Sequence, residues 1–408
     1  MDEVARMSAT EIGRQTRSQA KIKTGGERET EIYAAGVKGL KPRVPTRLDV
    51  LELRAKEVLK PEAYDYVAGA AGSEDTLRAN LEAFRRWRIV PHMLRNVEQR
   101  DLSIELFGAH LPAPLALAPV GVQGIIHKDG EVATGRAAAS LGIPFALSTV
   151  SSRSLEEVAK AMGDATRWFQ LYWARHTEIT ASLLERAERA GYSALLVTLD
   201  TTMLAWRPRD LDHGYLPFLT AEGLANYYSD PAFVAELKCK PEENRTAAVN
   251  LWRSIFSNTR LTWDDIAWLR AHTKLPIVLK GILRSDDAAR ALDHGVDGVI
   301  VSNHGGRQVD GAIATLEALP AVLEAVGGKL PVLMDSGIRR GADALKALAL
   351  GARAVLLGRP YVYGLAIAGE DGVREVVENF LAEFDLTMAL SGYTRVSELS
   401  PEALVRDH

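Results

Sequence analysis

The segment Ser302-Asn303-His304-Gly305-Gly306-Arg307-Gln308 places a histidine and an arginine around two glycines. A histidine takes up a proton near neutral pH, and an arginine can hold a carboxylate through two parallel hydrogen bonds. The glycines allow the backbone to come close to a flat ligand. Taken alone, the segment is equally typical of a glycine-rich loop with a capping histidine, so both interpretations stay open here.

Three more charged residues follow apolar runs elsewhere in the chain. Asp200 could pair with His304 and stabilise its protonated form, or it could cap the next helix. Arg207 lies shortly after Asp200, where it could bind an anion or belong to a charged surface. Lys280 could neutralise negative charge on a cofactor, form a Schiff base or make a partly buried ion pair.

Two further segments have the composition of a phosphate site. Asp335-Ser336-Gly337-Ile338-Arg339 and Gly358-Arg359 each follow an apolar run and combine glycine with arginine. Backbone N–H groups at loops and helix starts bind phosphate, and in α/β barrels this occurs after the last two strands. The two segments therefore predict one phosphate site if they meet.

All of these residues stand at the end of a short apolar run without polar alternation or follow such a run. Such runs are typical of parallel strands buried on both faces, and the stretches between them have the pattern of amphipathic helices. The fourth and fifth runs are separated by a much longer stretch than the others. The eight runs are Leu115–Pro119, Ile143–Thr149, Trp168–Tyr172, Leu195–Asp200, Ile277–Lys280, Val299–Asn303, Val332–Asp335 and Val355–Gly358.

Eight strands that alternate with helices predict an α/β fold, a (β/α)8 TIM barrel. We expect an N-terminal polar arm over residues 1–45, which forms a helical arm on the barrel, and a barrel domain over 46–408. A lid-like insertion over 208–262 follows the fourth strand. An open doubly wound sheet is the alternative, although no G-x-G fingerprint occurs.

Composition excludes several classes of protein. The 408 residues carry 49 Lys and Arg against 53 Asp and Glu, a net charge of −4 that argues against nucleic acid and anionic membranes as partners. The single cysteine, Cys239, excludes a disulfide scaffold. The histidines show no metal-ligand spacing, so we expect no metal. The N-terminus has no signal-peptide pattern, which predicts a cytoplasmic protein.

Together these segments resemble the FMN-dependent α-hydroxy acid dehydrogenase/oxidase family, from about Leu48 to Ala403. The resemblance implies FMN as cofactor, His304 as the base, Asp200 as its partner, and Arg207 and Arg307 as holders of the substrate carboxylate. It implies that Tyr66 and Tyr172 also bind the substrate. The implied cofactor-binding residues are Pro119, Val120, Gly121, Ser148, Gln170, Thr198, Lys280, Ser302, Asp335, Ser336, Gly337, Ile338, Arg339, Gly358 and Arg359.

Within the family, residues 206–219 and the long insertion look most like lactate 2-monooxygenase. We therefore expect oxidation of L-lactate by O2 to acetate, CO2 and water, with Gly121 leaving extra space beside the flavin. The first alternative is an oxidase that releases pyruvate and H2O2. A different class of protein, a barrel that binds a phosphorylated ligand without redox chemistry, is the second. Family analogy suggests a homotetramer or homo-octamer.

Overall fold

The computed structural model describes residues 22–407. Four helices and three short strands precede the first strand of the barrel. Residues 1–21 of the predicted arm lie outside this range. The described part of the arm contains a helix that begins at Gly25, is capped by Thr24 and packs on the last long helix at Asp385. These elements are α1 (Gly25–Val37), α2 (Leu48–Val58), α3 (Pro61–Ala68), α4 (Asp75–Arg85), β1 (Trp87–Ile89), β2 (Ile104–Leu106) and β3 (Ala109–Leu111).

Eight parallel strands follow one another around a closed barrel in chain order, and the last pairs with the first. All eight predicted runs are confirmed, with ends that move by two residues at most. Closure excludes the open doubly wound sheet. The strands are β4 (Leu115–Leu117), β5 (Phe145–Ser148), β6 (Arg167–Leu171), β7 (Leu195–Thr198), β8 (Ile277–Ile282), β9 (Gly298–Val301), β10 (Val332–Met334) and β11 (Ala354–Leu357).

Helices surround the barrel, as the periodicity predicts. Within residues 22–407 no helix is long and apolar enough to cross a membrane; the cytoplasmic location and the oligomeric state stay predictions. The strand β12 (Leu404–Arg406) pairs with β1. The helices are α5 (Gly130–Ser140), α6 (Leu155–Met162), α7 (Thr177–Arg189), α8 (Pro208–Asp212), α9 (Ala225–Tyr228), α10 (Pro231–Leu237), α11 (Arg245–Phe256), α12 (Asp265–His272), α13 (Ser285–Asp293), α14 (Thr315–Val326), α15 (Gly341–Ala349) and α16 (Arg359–Leu390).

The barrel interior is filled by side chains, so the barrel is a core and not a pore. Alternate strand residues such as Ala116, Leu196 and Ile300 form a buried cluster distinct from the layer under the helices. Trp168 lies in this cluster and contacts Phe107 of the β2–β3 hairpin edge-on, at 5.7 Å between ring centroids. The hairpin therefore closes one end of the barrel, and a ligand has access to the other end.

The predicted insertion forms four helices, α8 to α11, between β7 and α12. An aromatic cluster fixes it to the barrel: Phe218 and Trp252 lie 4.7 Å apart, and Phe256 lies 5.2 Å from Tyr172, measured between ring centroids. Since Tyr172 directly follows β6, this cluster holds the insertion against the carboxyl ends of the strands. The domain boundaries themselves stay predictions.

Candidate active site

A cavity opens at the carboxyl ends of the barrel strands. It contains about 1050 Å³ of empty space, including its open mouth, which is at the upper end of the range for ligand sites. All the predicted site residues line it except five, which reach it through hydrogen bonds to its lining or to one another. These five are Asp200, Ser148, Gln170, Thr198 and Ser302.

His304 and Asp200 form a hydrogen-bonded pair in this cavity. His304 follows β9 and Asp200 follows β7, so the two residues come from strands on either side of β8. The Nδ1 atom of His304 lies 2.7 Å from Oδ1 of Asp200, to which the Thr201 hydroxyl also donates at 2.9 Å. The Nε2 atom of His304 is therefore the ring nitrogen left for a ligand.

Burial decides the protonation of this pair. Burial lowers the pKa of His304 below its ordinary value, although the charge of Asp200 acts in the opposite direction. Burial would raise the pKa of Asp200, but the charges of Lys280 and His304 hold it well below its usual range. The arrangement is a neutral imidazole beside an ionised carboxylate, which is the state a general base needs.

Lys280 places a fixed positive charge on the wall of the cavity. Its Nζ donates to the Ser302 hydroxyl at 3.0 Å and lies 3.7 Å from Asp200 and 3.5 Å from Asp335. Burial alone would lower its pKa, but these two carboxylates raise it. Lys280 is thus an ammonium group with acidic partners, which favours the ion-pair and charge-neutralising interpretations over the Schiff base.

Arg207 and Arg307 bring two guanidinium groups to the same part of the cavity. Arg207 donates to the Arg307 carbonyl at 3.0 Å and to Oε1 of Gln308 at 2.7 Å, while Arg307 donates to the Gly69 carbonyl at 2.7 Å. Among residues 22–407, all of these acceptors are uncharged. Burial, together with the charge of Arg307, lowers the pKa of Arg207 to about 10. These two guanidinium groups therefore have no carboxylate hydrogen-bond partner in the described part of the chain, and a substrate carboxylate would supply one.

Two tyrosines complete this end of the cavity, Tyr66 buried and Tyr172 half-buried. Tyr66, on α3, lies under the guanidinium of Arg307 at 5.2 Å from the ring centroid. Burial raises the pKa of Tyr172 to about 12 and also raises that of Tyr66. Both hydroxyls therefore stay protonated and can donate hydrogen bonds to a ligand.

The opposite end of the cavity has the donors of a phosphate site. Nε of Arg339 is buried and has no partner in the described part of the chain. Arg359 begins α16, and helix starts attract anions. Arg359 also donates to the carbonyls of Val67, Gly69 and Gly305. It thus fastens α3 to the loop of His304, a role that the sequence did not indicate.

The wall between the two ends combines amide groups with a close backbone contact. Gln170 accepts from the Ser148 hydroxyl at 2.9 Å and donates to the Thr198 hydroxyl at 2.9 Å. A methyl group on Gly121 would lie 2.5 Å from the Val150 carbonyl oxygen. The missing methyl therefore makes room for Val150 and not for a ligand, in contrast to the expectation from the sequence.

Four of the cavity-lining residues that the sequence did not indicate bear on what the site can bind. Thr201 follows Asp200 directly and its hydroxyl could have been noticed. Leu204, Phe218 and Phe256 form an apolar wall, and no spacing in the sequence distinguishes them from core residues. Two of these three come from the insertion, which supports its interpretation as a cover for the site.

Comparison with known proteins agrees with this arrangement. A family model described as FMN-dependent dehydrogenase matches residues 55–406. The FMN-dependent alpha-hydroxy acid dehydrogenase qulF of Penicillium citrinum is 46% identical over 385 residues, which cover 93% of this chain and 96% of that protein. The L-lactate oxidase of Lysinibacillus sphaericus (strain C3-41) is 45% identical over 357 residues, 88% of this chain and 92% of that protein.

Solved structures show the same architecture. The crystal structure of mandelate oxidase with (S)-4-hydroxymandelic acid matches with a TM-score of 0.79 and 40% sequence identity. The match covers 88% of this chain and 98% of that one. The closed barrel and its surrounding helices are thus those of known FMN oxidases.

Proposed function

The chain belongs to the FMN-dependent dehydrogenase family, and on that premise we propose that it oxidises an L-2-hydroxy acid with O2, releasing the 2-oxo acid and H2O2. One observation carries the proposal: His304, paired with Asp200, lines the same cavity as Arg207 and Arg307, whose guanidinium groups hydrogen-bond only to uncharged acceptors within residues 22–407. A base and an anion clamp side by side are what the oxidation of a hydroxy acid requires. The non-redox barrel, the different-class alternative, does not fit the family.

Each residue of the cavity has a separate role in this proposed reaction. Arg207 and Arg307 bind the substrate carboxylate, and the hydroxyls of Tyr66 and Tyr172 orient the substrate by hydrogen bonding. Nε2 of His304 takes one proton from the substrate, and the charge of Asp200 stabilises the resulting imidazolium. FMN, when bound, supplies the acceptor for the two electrons. Lys280 is placed to offset the negative charge that reduction brings.

The residues present fit FMN. Arg339, with its unpaired buried Nε, and the start of α16 would hold the phosphate. Pro119 to Gly121 and the amide of Gln170 would face the ring system, and positioning of this kind provides much of the rate acceleration in enzymes.

The apolar wall of Leu204, Phe218 and Phe256 bears on the choice of substrate. An apolar wall favours a 2-hydroxy acid with an apolar side chain and disfavours one with a second carboxylate, because an unpaired charge there would lose its hydration. L-lactate fits this description and is the substrate we propose to test first.

Decarboxylation of lactate to acetate, CO2 and water is a second candidate function. The observation that favours it is that Phe218 and Phe256 of the insertion line the cavity, since a closed cover would retain the 2-oxo acid while peroxide is present. The extra space that the sequence predicted beside Gly121 does not support decarboxylation, because Val150 occupies it. Oxidases stand among the relatives, so the peroxide-releasing oxidase is the main proposal.

We expect the purified holoenzyme to be yellow and to bleach when L-lactate is added without air. In air, each O2 consumed should yield one pyruvate and one H2O2, measured with an oxygen electrode and product assays in the presence and absence of catalase. Stoichiometric acetate without free peroxide would establish the monooxygenase instead. A protein that takes up FMN but does not bleach with any of several 2-hydroxy acids would contradict both.

The pH dependence of flavin reduction should follow His304. The imidazole must be unprotonated to accept a proton, so kcat/KM is expected to be constant at neutral pH and to fall in acid. Burial lowers the pKa of His304 below the ordinary 6.5, which places the fall below pH 6.5. In the D200N variant the fall should move to still lower pH, because the charge that favours the imidazolium is gone. A fall in kcat/KM centred above pH 6.5, or one that moves to higher pH in D200N, would contradict the assignment of His304 as the base.

A further inference from the structure

Glu131 is a buried carboxylate that the chemistry above does not use. It lies in the first turn of α5 with no exposed surface. Its Oε1 accepts hydrogen bonds from the N–H of Gln123 at 2.9 Å and from the N–H of Ser152 at 3.0 Å. Glu131 thereby ties the loop after β4 to the loop after β5, and both loops border the cavity.

The contacts continue from Gln123 toward the cavity. Its side-chain amide donates to the Val120 carbonyl at 2.9 Å and to the Tyr361 hydroxyl at 3.2 Å. The Tyr361 hydroxyl in turn donates to the Ala118 carbonyl at 2.8 Å. Gln123 and Tyr361 are fully buried and do not line the cavity. The carbonyls of Ala118 and Val120 are therefore bound by side chains that lie behind the cavity wall.

The same loop presents its other backbone groups to the cavity. Ala118, Val120 and Gly121 line it, and within residues 22–407 the N–H groups of Val120 and Gly121 have no hydrogen-bond partner. Free backbone N–H groups are strong donors, and burying them unpaired is costly. A ligand that accepts hydrogen bonds at this wall would satisfy them.

We propose that Glu131 is a positioning residue for the flavin: through its two accepted hydrogen bonds it holds loop 118–124 so that the N–H groups of Val120 and Gly121 face the ring system of FMN. The second oxygen of Glu131, Oε2, is buried without a partner. The positioning therefore depends on Oε1 as an acceptor. The inference rests on FMN in this cavity, and it holds whichever product the enzyme releases.

The test compares E131A with E131Q. E131Q keeps an acceptor oxygen at the same place, so its FMN dissociation constant, measured by titrating apoprotein and following flavin fluorescence, should stay within about threefold of the wild type. E131A loses both bonds, and loss of such supporting contacts typically costs roughly 10- to 100-fold. E131A should also shift the flavin midpoint potential and visible spectrum, because donors to the ring are displaced.

The matched control is D385N. Asp385 is also buried, accepts a backbone N–H bond from Gly25 and pairs with Arg100, but it does not touch loop 118–124. D385N should lower the melting temperature without changing FMN affinity, potential or spectrum. If folded E131A behaves like D385N in all three readouts, Glu131 is only structural and the proposal fails.

A second variant covers the case in which E131A does not fold. Y361F keeps the ring and removes the hydroxyl that holds the Ala118 carbonyl and contacts Gln123. Y361F should weaken FMN binding about threefold. Its visible flavin spectrum should shift in the same direction as that of E131A. Wild-type affinity and spectrum in folded Y361F would overturn the proposal as well.

Discussion

Replacing His304 by alanine is expected to slow flavin reduction by a 2-hydroxy acid by about 10²–10⁴-fold, the usual contribution of a positioned general base. FMN should remain bound, because the imidazole pairs with Asp200 and the phosphate donors lie at the other end of the cavity. The measurement is the rate at which the yellow absorbance is lost after anaerobic mixing with L-lactate, at saturating substrate.

The chain contains a matched control for this variant. His110 also pairs with a carboxylate, Glu105, at 2.7 Å, but on the β2–β3 hairpin at the closed end of the barrel. H110A should therefore reduce its flavin at the wild-type rate. If H304A reduces its flavin at a rate comparable to that of the wild type, His304 is not the base. Equal losses of this rate in H304A and H110A would refute the assignment as well.

Replacing Arg207 by methionine should lower kcat/KM for the acid substrate by roughly 30- to 5,000-fold. This corresponds to a loss of about 2–5 kcal/mol of transition-state stabilisation, the cost of removing one partner of a buried charge pair. Methionine keeps much of the side-chain volume and removes the charge that faces the substrate carboxylate. The sharpest measurement compares the acid with its uncharged amide. R207M should lose most of the wild-type preference for the acid.

Arg253 provides the control for this second variant. It is an exposed arginine on α11, a helix of the insertion that begins directly after Arg207, and it does not line the cavity. R253M should keep the wild-type preference for acid over amide. If R207M keeps that preference too, the carboxylate binds elsewhere and the clamp is wrongly assigned.

Much of the fold could be predicted because its signals are local. Parallel strands buried on both faces read as apolar runs, and all eight runs became barrel strands within two residues of the expected ends. The start of α1 could not be read from the sequence, because adjacent glycines such as Gly25 and Gly26 are poor helix formers. In the structure, Thr24 caps that helix, and the absence of a side chain on Gly25 allows close contact with α16.

Which polar side chains stand at the ends of the strands can be read from the amino-acid sequence alone, because each strand and the polar residues at its end are neighbours along the chain. Which of these side chains contact one another depends on how the strands are arranged in the folded barrel. Asp200 and His304 are hydrogen-bonded although they are 104 positions apart. Arg359 donates to three carbonyls, of which one lies in α3, one directly after α3 and one in the loop of His304, all far from it in sequence. Phe218, Phe256 and Glu131 gave no signal at all, because a side chain acquires such a role only from the neighbours that folding brings to it.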